Sequence, residues 1–147
     1  MFGMGSTLSQ FCRDGMTANI AHGFDLVAAE NADKFVLIGN ERSLTWRQID
    51  RKAGALASNI KDEGLGPGTR LAVCFDDPID TIIGVFGGLK AGCVITPFNG
   101  RLKSEERNQI LSLLGNPFIV DSIPNDEVIF PAATVDPQSP AIILFTS

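Results

Sequence analysis

The sequence predicts an α/β fold, a mainly parallel sheet flanked by helices with an N-terminal hairpin, and three observations carry that expectation. From Leu71 onward, short β-rich runs alternate with one-faced helical stretches, the pattern produced by right-handed crossovers. Before that, the two β-rich runs of "KFVLIGNERSLTW" flank the turn cluster Gly39-Asn40-Glu41, which reads as a hairpin. Between the two regions, Thr45 and Gln48 stand at capping-box spacing ahead of a sustained apolar repeat.

Taken in order, Ile20, Phe24, Val27 and Ala28 recur at helical spacing and predict an amphipathic helix over about residues 17–31. The hairpin follows. Ile49, Ala53, Leu56, Ala57 and Ile60 then lie on one face of a helix that Gly64 stops. Leu71 to Phe75 is a strand. Pro78 opens the next helix at its first position, behind Asp76 and Asp77, and Ile79, Ile82, Ile83, Phe86 and Leu89 give it an apolar face ending at Gly92. Val94 to Thr96 is the next strand. Ser104 is the expected cap of a further helix with Glu105 and Glu106 in its first turn, and Gly115-Asn116 ends it. Phe118 to Val120, Val128 to Phe130 and Ala141 to Phe145 read as short strands, the last buried on both faces.

Length and composition fit one domain. The 147 residues are 44% apolar with a mean hydropathy of +0.15, enough for a packed core. A net charge of −5 and a pI near 4.7 argue against nucleic acid as a partner, because phosphate binding needs clustered Lys and Arg. The strongly apolar stretch Ile79 to Leu89 falls short of the roughly 18 residues of a membrane span. The N-terminus lacks the basic start and apolar run of a secretory signal, so a cytoplasmic location is expected. Cys12, Cys74 and Cys93 show no paired spacing, which fits reduced thiols and gives no metal site. His22 is the only candidate base for a Cys or Ser nucleophile, and nothing in the sequence orients it.

Several motifs carry a plain reading beside a functional one. "GLGPG" (Gly64 to Gly68) follows a helix and precedes a strand, the reverse of a phosphate loop, so it reads as a helix stop plus turn. Asp76, Asp77 and Asp80 suit a helix start better than a magnesium cluster. Glu105 and Glu106 diverge by about 100° on their helix and cannot form a facing acid/base pair. Asn99, Gly100 and Arg101 come just after a strand, at the edge where α/β sheets meet ligands; Arg101 is either an ordinary turn arginine or a partner for phosphate or carboxylate. Thr146 and Ser147 are two hydroxyls at the end of the last strand, able to donate to phosphate oxygens.

Three stretches together resemble the adenylate-forming (AMP-binding) superfamily, which includes acyl-CoA synthetases, luciferases and peptide-synthetase adenylation domains. "SLTWRQID" (Ser43 to Asp50) resembles its "LTYxEL" motif, with Trp46 at the usual Tyr. "GGLKAGCVITPFNGRL" (Gly87 to Leu102) resembles "LKAGxxxxPxN", and "DPQSPAIILFTS" (Asp136 to Ser147) resembles the approach to "YTSGTTGxPKG", with Phe145 at the Tyr. Order and approximate spacing agree from about Ala18 to Ser147.

The resemblance implies that residues 1–147 are the N-terminal part of the large AMP-binding domain, ending inside the phosphate-binding loop. Thr146 and Ser147 would then be the first ATP-binding members of that loop. It further implies a ligase that activates a small carboxylic acid with ATP and Mg²⁺ as an acyl-adenylate and transfers it to a thiol, CoA or a carrier protein. An acyl-CoA synthetase is the preferred expectation and a nonribosomal peptide synthetase adenylation domain the alternative; this segment alone is expected to be inactive. A noncatalytic α/β binding module, or a proteolysed or engineered piece, are the rival readings. An uncovered sheet edge or face would favour a homodimer.

Overall fold

The computed structural model of the chain describes residues 19–39 and 41–146; Cys12, Asn40 and Ser147 lie outside the described residues. Helix α1 (Ile20–Glu30) begins behind Asn19, whose side-chain oxygen accepts the Ala21 N–H. Strands β1 (Phe35–Ile38) and β2 (Ser43–Thr45) form the expected antiparallel hairpin, closed by the Gly39 N–H to the Arg42 carbonyl at 2.8 Å. Helix α2 (Trp46–Asp62) starts in the capping box foreseen at Thr45 and Gln48, each side chain accepting the other's backbone N–H. Gly64 and Gly68 take left-handed φ values of 76° and 85°, so "GLGPG" ends α2 and turns the chain into β3 (Arg70–Phe75).

Pro78 occupies the first turn of α3 (Pro78–Lys90), and the Asp77 carboxylate accepts the Ile79 N–H at 2.7 Å. Strand β4 (Val94–Asn99) runs parallel to β3, in register from Arg70 opposite Val94 to Phe75 opposite Asn99. Helix α4 (Ser104–Leu113) departs from expectation at its start. Lys103 holds the cap position in extended backbone and Ser104 is already helical; the Glu106 carboxylate accepts the Lys103 N–H at 3.3 Å. Asn116 and Gly115, both left-handed, end it, and β5 (Phe118–Val120) joins β3 on its far side.

The strand order is therefore β4-β3-β5, all parallel. Leu71, Val73 and Ile95 project into a core with Leu56, Ile60 and Leu89 of the overlying helices. A second cluster, Phe24, Leu44, Ile49, Ile79 and Ile83, ties the hairpin to α1, α2 and α3.

Two expected strands come out differently. Val128 to Phe130 is not in the sheet: the Val128 N–H donates to the Arg51 carbonyl of α2, and the Phe130 carbonyl accepts from Lys90 Nζ. Held to the helices by these two backbone groups, this run crosses the helical layer, and with the residues that follow it to Ala133 forms a strap. Ala141 to Phe145 does run parallel beside β4, with the Ile95 N–H on the Ala141 carbonyl and the Ile143 N–H on the Ile95 carbonyl, both 2.9 Å, but only Ile142 forms a bridge. It is not buried on both faces. Ile142 is 42% exposed and Leu144 69%, because the segment is the outer edge of the described sheet.

Candidate functional site

The connections β3 to β4 and β4 to β5 run in opposite directions along the sheet. Right-handed crossovers then place α3 and α4 on opposite faces, which opens a crevice between the carboxyl ends of β3 and β4. A cleft of about 650 Å³ occupies that position, lined by Phe75, Asp76, Pro97, Phe98, Asn99 and Arg101. A second cleft of about 650 Å³ shares Asp76, Pro78, Ile82 and Arg101 with it and reaches the hairpin at Leu37 and Arg42.

The rim is shaped by a short turn. The Asn99 side-chain oxygen accepts the Arg101 N–H at 2.9 Å, and the Gly100 N–H donates to the Phe75 carbonyl at 3.3 Å. Gly100 passes so close over Asp76 that a Cβ there would meet its carboxylate, and a larger residue would need that exposed side chain to swing aside. Arg101 is exposed, lines both clefts and makes no ion pair with a described residue. Its guanidinium is open to an anion.

Two aspartates at the same rim, Asp77 and Asp80, are engaged. Arg42 of the hairpin pairs with Asp80 at 2.6 Å and Asp77 at 3.1 Å, and the hydrogen bond to Asp80 is the main reason its pKa is raised. Among the described residues no group of three or more His, Cys, Asp or Glu is arranged to hold a metal ion. Asp77 thus caps α3, and with Asp80 it tethers the hairpin.

Thr146 is exposed at the end of the segment that runs parallel to β4. The bridge of Ile142 to Ile95 runs this segment in the direction of β4, toward its carboxyl end, and Thr146 lies four residues beyond that bridge. Ser147 lies outside the described residues. His22 is half-buried in α1, Cys74 and Cys93 are buried free thiols, and Glu105 and Glu106 are exposed on α4. None of these joins the rim cluster described above.

The sequence pattern of AMP-binding enzymes matches residues 24–129, most of the chain. The chain belongs to the AMP-binding enzyme family. It is 32% identical over 84 residues to adenylate-forming reductase 06235 of Coprinopsis cinerea, covering 57% of this chain and 8% of that protein. It is 28% identical over 97 residues to tyrocidine synthase 2 of Brevibacillus parabrevis, covering 66% of this chain and 3% of that one. The chain thus spans a small part of the relatives it matches. In structure it is similar to the N-terminal subdomain of Klebsiella oxytoca NpsA in complex with 3-hydroxyanthranilyl-AMSN, with a TM-score of 0.72 and 21% identity over 88% of this chain and 37% of that one. That likeness shows the fold, the N-terminal α/β portion of an AMP-binding enzyme.

One group of polar residues was not foreseen. Lys90, within "GGLKAG", is 1% exposed, and its ammonium pairs with Asp25 of α1 at 2.5 Å and Asp50 of α2 at 2.7 Å. The Asp50 contact is ionic, without hydrogen-bond alignment. The signal was present: Ile79, Ile83, Phe86 and Lys90 recur at spacings of four, three and four, so a lysine continues the buried stripe of α3.

Proposed function

We propose that the chain is the N-terminal part of the large domain of an adenylate-forming enzyme of the peptide-synthetase adenylation type, with the phosphate-binding loop starting at Thr146 and Ser147. Family membership supports the adenylate-forming chemistry, and similarity to tyrocidine synthase 2 favours the adenylation-domain reading over the acyl-CoA synthetase that the motifs first suggested. The observation that carries the proposal is the parallel course of the 141–143 segment beside β4, which directs the chain, with the exposed Thr146 at its end, toward the carboxyl side of the sheet.

In the reaction, a carboxylate oxygen attacks the α-phosphorus of ATP and pyrophosphate leaves, giving an acyl-adenylate; a carrier-protein thiol then loses its proton and attacks the acyl carbon, forming the thioester and releasing AMP. Thr146 Oγ1 donates to a triphosphate oxygen and helps hold the chain of phosphates in line. The Asn99-Gly100-Arg101 turn fixes the neighbouring rim, and Arg101 adds positive charge toward the anion. Magnesium, when bound, would neutralise triphosphate charge.

The test is acid-dependent ATP–pyrophosphate exchange by the protein as its gene encodes it, with amino, aryl and fatty acids, followed by trapping of the product with CoA or a phosphopantetheinyl carrier. Exchange with amino or aryl acids and transfer to the carrier is expected. Transfer to CoA would restore the acyl-CoA synthetase reading, and exchange by the 147-residue polypeptide alone would overturn the assignment of residues 1–147 as a partial domain.

A further inference from the structure

The buried Lys90 does more than fill the core. Removing an ammonium from water costs several kcal/mol, and an apolar residue of similar volume is often as stable at such a site. Its partners explain its presence better than packing does. Lys90 Nζ donates to the Phe130 carbonyl at 3.1 Å, the Lys90 carbonyl accepts the Ala133 N–H at 2.7 Å, and Asp25, paired with the ammonium, accepts the Ala132 N–H at 3.1 Å. Asn19 adds a hydrogen bond to the Ala133 carbonyl at 2.8 Å. Three strap residues within a four-residue stretch are therefore held by Lys90 or its carboxylate partner.

This stretch has no ladder of its own, and Pro131, Pro137 and Pro140 deprive the segment 130–142 of N–H donors. Between Ala133 and Ala141, the chain makes a local turn in which the Asp136 side chain and carbonyl accept from Gln138 and Ser139. It then docks on β4 at Ile95. Lys90 thus stands at one end of the segment 130–142 and the bridge of Ile142 to Ile95 at the other.

We propose that Lys90 is a positioning residue: the Lys90, Asp25 and Asp50 cluster fixes the strap at Phe130 to Ala133 and so sets where the 141–146 segment docks on β4 and where Thr146 reaches the rim. Its consequence for ATP rests on the function proposed above; its structural content does not.

Hydrogen exchange in the 147-residue chain tests the structural content through Lys90→Met, which removes the charge while keeping the length of the stem, and Asp25→Asn, which removes one carboxylate and leaves Asp50. Both variants are expected to exchange about tenfold faster in peptides covering 128–133 and 139–145 while the β3 peptide 70–75 stays protected. Faster exchange at 128–133 with 139–145 unchanged would overturn the proposal, as would loss of protection in β3 in both variants, the mark of a purely structural core residue. In the gene-encoded protein, Lys90→Met is expected to raise the ATP KM about tenfold with the carboxylic acid KM unchanged. Equal loss toward both substrates would overturn it. Absence of exchange activity in the unaltered protein would count against the proposed function instead, and leaves the hydrogen-exchange outcome to decide this inference.

Discussion

Gly54 of α2 lies against the carbonyl oxygen of Val128, so close that a Cβ at position 54 would overlap that oxygen. The strap rests on the helix at this one open spot, and the Val128 N–H donates to the Arg51 carbonyl one turn away at 3.0 Å. Gly54→Ala sets two effects against each other. Alanine gains up to about 1 kcal/mol of helix propensity, whereas overlap with a backbone atom costs about 1–3 kcal/mol or more. Steric cost wins, and a net loss of about 1–2 kcal/mol in urea unfolding is expected. Gly66→Ala, where a Cβ meets open space and φ is ordinary, is the control and should change stability by less than about 0.5 kcal/mol.

Cys93 gives the pH prediction. Its thiol is buried near the Gly66 carbonyl, and desolvation pushes its pKa from an ordinary 9.0 up to about 11. The folded chain therefore binds this proton more tightly than the unfolded chain. The stabilisation is fully present below about pH 9 and is lost as pH rises toward 11. Burial shifts Cys74 in the same direction. Unfolding midpoints should fall across that window and fall less in Cys93→Ala. At pH 8, iodoacetamide should label Cys93 only in denaturant; fast labelling of the native chain would contradict the burial.

The 141–145 edge presents Ile142, Leu144 and Phe145 to solvent beside an incomplete ladder. Edges of this kind recruit further strands. Light scattering of the 147-residue polypeptide should show mass rising with concentration, and Leu144→Lys should suppress the rise. A strictly monomeric profile across concentrations would contradict it.

The elements that local chemistry specifies were legible. Thr45 with Gln48, Asp77 before Pro78, and the glycines at 64 and 92 name their caps and stops in the sequence, and the structure places them there. Alternating strands and helices likewise revealed the parallel sheet, although its order, with β5 returning to the far side of β3, is fixed by tertiary packing. Val128 to Phe130 misled because β propensity is indifferent to which backbone supplies the partners, and here helices supply them. Ala141 to Phe145 misled for a related reason: an apolar run records what a segment would bury, whereas its exposure depends on which elements flank it. At the rim, Gly100 and Arg101 follow a strand as expected, although β4 runs three residues past Thr96 and takes in Asn99. The engagement of Asp77 and Asp80 by Arg42 could not be foreseen, because it joins side chains 35 and 38 positions apart in the chain.

The account turns on the Thr146 hydroxyl meeting the triphosphate, and the most direct measurement is the kinetic effect of Thr146→Ala on ATP–pyrophosphate exchange in the gene-encoded protein. Loss of one hydrogen bond to a charged oxygen predicts an ATP KM raised about tenfold, equivalent to about 1.4 kcal/mol, with the KM for the carboxylic acid unchanged. An unaltered ATP KM, or equal losses toward ATP and acid, would contradict it.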